Sequence, residues 1–308
     1  MKRTYAPFIL ILLLFIAGIL FSVKFGTNLL SDFHESDDEI RYNRIISLSP
    51  NITETLFALG LGERVVGVTR FCSYPPEALE KGKVGGFIDP NYEAIAALQP
   101  DLVILLPEHE NVRSNLTELG YRYLIVHNRN VSEILASIMI IGNNCGAENR
   151  AREIVSNIED RMHLIQEKTK GLSQPRVLIS IDRMRGVGSL QEVYIAGKNT
   201  FYNELIVYAG GKNAYEGQEI AYPVLSPEGL FYINPDIIID LVPERDMNTI
   251  DETMILKEWE SVSRVNAVVN NRVYVVKHDF AFIPGPRFIL FLEYLTNIIH
   301  PEIEESNK

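Results

Sequence analysis

The chain has 308 residues, a length that suits about two domains. Its 40 acidic and 29 basic side chains leave a net charge of −11, which argues against a surface that binds the phosphates of a nucleic acid. A hydrophobic content of 46% excludes a wholly disordered chain. Cys72 and Cys145 are too few for a disulfide framework or a four-cysteine zinc site, and they allow at most one bridge.

The first segment is predicted to be a signal anchor. Ala6 to Val23 is an uncharged run of 18 residues preceded by Lys2 and Arg3, the layout of a signal sequence or anchor whose N-terminus stays in the cytoplasm. No small-x-small cleavage site and no cysteine for a lipid follow it, so we expect an uncleaved anchor, with cleavage as the alternative. The acidic stretch Asp32–Glu39 then predicts a tether. Residues 1–43 would hold the folded part at the periplasmic or extracytoplasmic face of the membrane.

The rest of the chain has the pattern of an α/β protein with largely parallel strands, since short β-branched apolar runs alternate with helix-period segments. Strands are predicted at Arg44–Ser49, Val65–Val68, Leu102–Leu106, Tyr123–Val126, Arg176–Ile181, Ile237–Leu241 and Val273–Val276. These strands form two groups. We therefore predict two Rossmann-like lobes, residues 44–148 and 172–308, with a ligand cleft between them.

One long helix is predicted to join the two lobes. Asn149 to Lys170 contains no Gly or Pro, carries an apolar stripe from Ile154 to Ile165, and ends at Gly171. At 1.5 Å per residue such a helix would run about 33 Å. Residues 149–171 are therefore expected to be a stiff connector.

An internal repeat predicts the same building block in each lobe. Asn91–Ile104 aligns with Ser226–Ile239 without a gap, and each copy predicts a capped helix, a Pro-Asp turn and a buried strand. The repeat places Glu93 and Glu228 at equivalent positions in the first turn of each helix. Two interpretations are open: the carboxylates complement the helix dipoles, or they are paired docking charges for a two-fold partner with arginines.

Seven stretches, in order and spacing, resemble the periplasmic-binding proteins of the vitamin B12 and iron-siderophore import type, most of all the cobalamin-binding members. They are Arg44–Glu54, Gly67–Pro76, Lys83–Phe87, Gln99–Ile104, Ala196–Lys198, Ala209–Asn213 and Pro286–Arg287, and the resemblance covers about Arg44 to Ile299. It implies a monomeric substrate-binding component that delivers a metal-chelate ligand, a corrinoid above all, to the permease dimer of an ABC importer. It also implies that Glu93 and Glu228 dock against arginines of that permease.

The resemblance places the family's cleft positions on Phe71, Phe87, Tyr194, Tyr222 and Asp279. Aromatic faces and a few polar anchors suit a corrin, which is large, flat and partly apolar. Without the resemblance, Phe71 and Phe87 fit a core, Tyr222 an exposed loop, and Asp279 a turn. Phe87 and Tyr222 stand where the cobalamin binders have tryptophans, so the aromatic surface that could cover a corrin ring is smaller. The sequence therefore does not decide among a corrinoid, haem and a siderophore as the ligand.

Other side chains bear on the choice of ligand. Arg70, Arg183 and Arg185 are candidates for holding an anionic siderophore, and His109 and His278 follow predicted strands, where one could ligate the metal of a haem or corrinoid. Both histidines also fit ordinary surface or core positions. The six histidines show no close metal-ligand pairing, which disfavours a dedicated zinc or manganese receptor. No resident metal or cofactor is expected.

No catalytic motif is recognised in the chain. The P-loop pattern, the zinc-protease helix and the Gly-x-Ser-x-Gly elbow are all missing from the sequence. We therefore expect a binding protein and no enzyme, with an anchored hydrolase or sensor as the alternative of another class. Cys72 beside Phe71 is open to four interpretations: a ligand contact, a buried thiol, a bridge to Cys145, or a loop residue.

Overall fold

The computed structural model describes residues 42–217, 220–243, 246 and 249–305. The predicted signal anchor and the acidic tether lie outside these residues. None of the helices within the described ranges is both long enough and apolar enough to cross a membrane. The predicted strands and the connecting helix all fall inside the described ranges.

The first lobe contains a parallel sheet of five strands in the order β3-β2-β1-β4-β5. The strands are β1 (Ile45–Ser47), β2 (Val65–Val68), β3 (Gly82–Lys83), β4 (Leu102–Leu105) and β5 (Tyr123–Ile125). All residues of β1 and β4 are buried, as expected for parallel strands that are covered on both faces. The four predicted strands are confirmed, with ends within two residues of the prediction.

Four helices follow strands of this first sheet. They are α1 (Pro50–Ala58), α2 (Tyr92–Ala97), α3 (Glu110–Glu118) and α4 (Val131–Asn144). Pro50 occupies the first turn of α1, where its missing N–H costs no hydrogen bond. The side chains of Asn91 and Asn130 cap α2 and α4 by accepting hydrogen bonds from backbone N–H groups.

The connecting helix is α5 (Glu148–Thr169), which has 22 residues and begins and ends one residue before the prediction. Its buried side chains include Ile158, Met162 and Ile165, which confirms the apolar stripe. It contacts α4 of the first lobe and α10 (Phe288–Ile299) of the second. The Arg161 guanidinium donates to both carboxylate oxygens of Glu293 on α10, at 2.8 and 2.6 Å, which fixes the helix against the second lobe.

The second lobe contains a sheet of six strands in the order β11-β10-β6-β7-β9, and β8 also pairs with β6. The strands are β6 (Arg176–Arg183), β7 (Val193–Ile195), β8 (Lys212–Asn213), β9 (Val224–Leu225), β10 (Ile237–Leu241) and β11 (Val273–Val276). The three predicted strands are confirmed and are parallel to one another. The sequence prediction missed β7, β8 and β9, which are only two or three residues long. Of these, β7 and β9 run antiparallel at one edge.

The remaining helices belong to the second lobe. They are α6 (Phe201–Tyr208), α7 (Pro227–Ile233), α8 (Glu252–Trp259), α9 (Asn266–Val269) and α11 (Glu302–Glu305), together with α10. Ser226 caps α7 as Asn91 caps α2, so the repeat is confirmed at the level of local structure. In each copy the capped helix is followed by a buried strand, β4 or β10.

A buried group of charges lies inside the second lobe. Asp240 on β10 accepts hydrogen bonds from Arg183 Nε at 2.9 Å, Arg185 Nη2 at 2.9 Å and Trp259 Nε1 at 2.8 Å. Arg183 also donates to Glu258 at 2.6 Å. The side chains of Asp240 and both arginines are fully buried. We call Arg183, Arg185, Asp240 and Glu258 the Asp240 cluster.

Replacing Asp240 by Ala should destabilise the protein by about 3–5 kcal/mol, because two buried guanidinium groups would lose their shared counter-charge. Equilibrium urea unfolding of residues 41–308 would measure this loss. Asp89→Ala is the matched control: Asp89 pairs with Arg70 at 3.2 Å at the surface, where removal should cost at most about 1 kcal/mol. Equal effects of the two substitutions would contradict the prediction.

Candidate functional site

Two adjoining pockets lie between the lobes, at the carboxyl ends of the strands. The smaller has a volume of about 400 Å³ and is lined mainly by the first lobe. The larger, of about 550 Å³, extends to the second lobe through Lys277, His278 and Asp279 after β11. Both pockets are lined by Pro50, Phe71, Phe282 and Ile283, so they form one cleft. Open α/β sheets bind ligands at this position.

Phe71 lies at the centre of the cleft. It follows β2, lines both pockets and leaves about half of its surface exposed, so it is not a core residue. The Arg70 guanidinium carbon is 5.0 Å from the Phe71 ring centroid, and Arg70 also pairs with Asp89. An apolar ring face beside a cation is therefore available to a ligand.

Phe87 is half-buried and lines the smaller pocket, with the ring of His109 behind it at a centroid distance of 4.4 Å. His109 is buried, and its Nδ1 accepts a hydrogen bond from the backbone N–H of Leu106 at 3.0 Å. Burial lowers the pKa of His109, which favours a neutral imidazole. His109 thus supports Phe87 from the interior and lines neither pocket.

His278 differs from His109 in being exposed in the cleft. Its ring stacks on Phe280 with centroids 4.8 Å apart and an angle of 9° between the ring planes, and it makes a T-shaped contact with Tyr294. His278 lines the larger pocket together with Lys277 and Asp279. The cleft therefore presents a cation, an imidazole and a carboxylate beside its aromatic floor.

Asp279 belongs to an ionic group that joins the lobes. Arg287 Nη2 lies 2.8 Å from Asp279 Oδ2, and Arg287 Nε donates to Glu54 Oε2 of the first lobe at 2.9 Å. The Arg287 guanidinium carbon also stands 3.5 Å from the ring centroid of Tyr74. We call Glu54, Tyr74, Asp279 and Arg287 the Arg287 clasp. Two of its members come from each lobe.

The two acids of the clasp, Glu54 and Asp279, have pKa values that are shifted in opposite directions. Burial raises the pKa of Glu54, whose side chain is only 2% exposed, and the Arg287 charge only partly opposes this shift. Burial also acts to raise the pKa of Asp279, but hydrogen bonds and charge from Arg287 outweigh it and hold the pKa below its ordinary value. Asp279 is half-exposed, so it stays ionised as a polar group of the cleft.

Tyr194 and Tyr222 lie in the second lobe, and neither lines the two pockets described above. Tyr194 on β7 pairs directly with Val224 on β9, and Tyr222 is two residues before Val224. Directly paired residues share a face of a sheet. Both tyrosines are 46% exposed, and burial of its remaining surface raises the pKa of Tyr222. Both tyrosines therefore lie near the antiparallel edge of the second sheet, outside the two pockets.

Glu93 and Glu228 occupy the first turns of α2 and α7, and both are exposed. Hydrogen bonds from its own backbone N–H and from the Ser226 hydroxyl lower the pKa of Glu228. Each lobe therefore presents one carboxylate at the equivalent place of the repeat.

Two of the three candidate arginines are not in the cleft. The expectation that Arg183 and Arg185 could hold an anionic siderophore is wrong, because both belong to the buried Asp240 cluster. Arg70 does lie at the surface beside Phe71. The prediction failed because the sequence shows that the arginines follow a predicted strand, but it does not show that Asp240 and Glu258, far along the chain, pair with them.

The cysteines do not reach the cleft. Cys72 and Cys145 are both buried, and they form no bridge with each other. The Cys72 sulfur lies 3.1 Å from the Thr53 hydroxyl, and burial raises the pKa of Cys145 to about 11, so both are buried thiols. Among the described residues, no three His, Cys, Asp or Glu side chains converge on a point that could hold a metal.

Sequence reasoning missed several residues of the site, and two of them matter most. Phe282 forms part of the floor shared by both pockets, and Arg287 carries the clasp. Arg287 and Glu54 are 233 positions apart, so no local pattern could pair them. Phe282 follows a predicted strand by only a few residues, and this position is the one signal that would have pointed to it.

Comparison with known proteins decides the family. A family model described as periplasmic binding protein matches residues 45–280. The uncharacterized ABC transporter substrate-binding lipoprotein YvrC of Bacillus subtilis is 34% identical over 272 residues, 84% of this chain and 80% of its own length. The chain belongs to the periplasmic binding protein family.

Other comparisons agree with this assignment. The vitamin B12-binding protein of Vibrio cholerae is 25% identical over 246 residues, which are 79% of this chain and 84% of that protein. The solved structure of the periplasmic heme-binding protein RhuT from Roseiflexus superposes with a TM-score of 0.72 and 25% identity, over 85% of this chain and 99% of that one. YvrC is named as the substrate-binding protein of an ABC transporter, and this periplasmic binding protein shares with it a family of extracytoplasmic binding proteins.

Replacing Arg287 by Met should destabilise this periplasmic binding protein by about 3–5 kcal/mol, because the buried Glu54 carboxylate would lose its cation. Urea unfolding of residues 41–308 at pH 7 would measure the change. The double variant Glu54→Leu, Arg287→Met removes both charges and should recover most of the loss. If the double variant were less stable than Arg287→Met alone, the clasp would not depend on charge pairing.

Proposed function

We propose that this protein captures cobalamin or a related corrinoid in the cleft and delivers it to the permease of an ABC importer. The observation that carries the proposal is the apolar floor of Phe71, Phe282 and Ile283, which both pockets share between the lobes. Each pocket has a volume typical of ligand sites. The similarity to the vitamin B12-binding protein of Vibrio cholerae supports the choice of a corrinoid.

In this proposal the ligand is held by contact alone, without a covalent step. Phe71 and Phe87 offer aromatic faces inside the pockets, and the exposed Tyr194 and Tyr222 of the second lobe would cover the part of the ligand that extends beyond the two pockets. Asp279 supplies a charged anchor at the edge of the floor. The ring would lie between the lobes with its polar substituents toward solvent.

We also propose how the protein is divided and held at the membrane. Residues 44–148 and 172–308 act as the lobes, and the segment 149–171 limits how far they open. The uncharged segment Ala6 to Val23 stays uncleaved and anchors a monomer. The relative YvrC is called a lipoprotein, whereas this sequence has no cysteine before Cys72.

Haem is the second candidate ligand, and His278 is the observation that favours it. The exposed imidazole lines the larger pocket, where it could coordinate the iron of a haem. RhuT, at 25% identity, is called a heme-binding protein. A ferric siderophore is less well supported, because two of the three candidate arginines, Arg183 and Arg185, are buried away from the cleft.

Phe87→Ala and Tyr222→Ala should each weaken the binding of cyanocobalamin by about 1–3 kcal/mol, because each removes a stacking surface. Absorbance titration would measure the dissociation constants, with parallel titrations of haem and a ferric siderophore. Leu164→Ala removes an exposed apolar side chain from α5, away from the cleft, and should leave affinity unchanged. Unchanged affinity in both aromatic variants, or preference for haem, would overturn the corrinoid assignment.

Glu93→Arg and Glu228→Arg should impair uptake of labelled cyanocobalamin by cells while leaving its binding to the purified protein intact. The physical reason is that reversed charges would repel arginines of the permease. Glu159→Arg, an exposed position on α5, is the control of equal charge change. Loss of ligand binding together with uptake would indicate misfolding and would contradict the docking role.

A further inference from the structure

Helices α2 and α7 are equivalent by the repeat, so they can be compared position by position. Their inner positions correspond: Ile95 of α2 and Leu230 of α7 are both fully buried. Their caps and first-turn acids also correspond. The shared core and cap requirements therefore account for the similarity of the two helices.

The outer positions of the two helices differ. Where α2 has Ala96 and Ala97, α7 has Phe231 and Tyr232, which are 40% and 90% exposed. The equivalent helix forms its cap and buries its core with alanines at these places, so the fold does not require aromatic rings there. The two rings expose apolar surface to water, so a requirement other than folding must account for their presence.

The aromatic pair stands beside a charge. Phe231 and Tyr232 follow Glu228 by three and four positions, so the three side chains are neighbours on the helix surface. Glu228 is exposed, and its lowered pKa keeps it ionised. An exposed tyrosine and phenylalanine side by side have the composition of a binding hot spot rather than of a solvated helix face, and the Glu228 carboxylate suits the polar rim of such a site.

We propose that Glu228, Phe231 and Tyr232 form an anchor patch that binds the extracytoplasmic surface of the permease. The surface that fits this patch carries an arginine or lysine for Glu228 and an adjacent apolar depression for the Tyr232 ring. The inference rests on the proposed docking function and adds an asymmetry to it. The second lobe docks by charge and apolar burial, whereas Glu93 beside Ala96 and Ala97 docks by charge alone. A two-fold permease is therefore engaged unequally, and the patch sets the orientation of the bound protein.

Photocrosslinking of the full chain in its own cells tests the patch. Tyr232→p-benzoylphenylalanine should yield a crosslinked product that mass spectrometry identifies as the integral-membrane permease subunit of an ABC importer. Glu93→p-benzoylphenylalanine reports on docking by the first lobe. Leu164→p-benzoylphenylalanine, exposed on α5, is the control and should give no permease product.

Affinity for that permease, reconstituted in nanodiscs, provides the second measurement. Tyr232→Ala alone and Phe231→Ala, Tyr232→Ala together should weaken binding, by about 30-fold for the pair. Ala96→Ser, Ala97→Ser changes the equivalent positions of α2 and should change affinity by less than about threefold. Circular dichroism would check folding, and Tyr232→Ala is the safer variant because its ring is almost fully exposed.

The outcomes separate the inference from the proposed function. Permease crosslinking at position 93 but not at position 232, or unaltered affinity of Tyr232→Ala, would overturn the anchor patch and leave the docking function in place. The absence of permease crosslinks at both positions would overturn the docking function itself. Crosslinking at position 232 with a loss of affinity in Tyr232→Ala would support the patch.

Discussion

The buried face of the connecting helix is the contact on which the rest of the structure depends. One continuous hydrophobic core includes Ile45 of β1, Ile158 of α5 and Ile239 of β10, so the helix shares its interior with both lobes. Separating the lobes would expose this surface to water, at about 25 cal/mol for each Å² of apolar area. A flexible linker would carry no such penalty. The cleft is therefore largely formed before a ligand arrives.

The Arg287 clasp adds a directional ionic contact to the non-directional apolar contact between the connecting helix and the lobes. Apolar burial holds the lobes together but does not choose their relative orientation, whereas an arginine that bridges Glu54 and Asp279 requires a defined geometry. Because Asp279 also lines the larger pocket, the same residue borders the ligand space and joins the lobes. A ligand held in this pocket would therefore be coupled to the lobe geometry through a single carboxylate.

The repeat shows how one local unit serves two purposes. Caps, buried positions and first-turn acids agree between α2 and α7, since each helix must cover its own sheet. The outer positions are free of that requirement, and there the copies diverge to Ala96 and Ala97 or to Phe231 and Tyr232. Folding alone therefore does not account for the exposed Phe231 and Tyr232, and this divergence is the ground for the proposed anchor patch.

The sequence by itself determined the features that depend on local pattern. The bounds of β2, β10 and β11, the 22 residues of α5 and the two caps of the repeat were all predictable, because periodicity and capping act over a few neighbouring residues. Tertiary structure alone decided which distant groups meet. The burial of Arg183 and Arg185 against Asp240, the position of His109 behind Phe87 and the bridge from Arg287 to Glu54 join residues up to 233 positions apart. Such pairings follow from how the sheets and helices pack, and no local pattern encodes them.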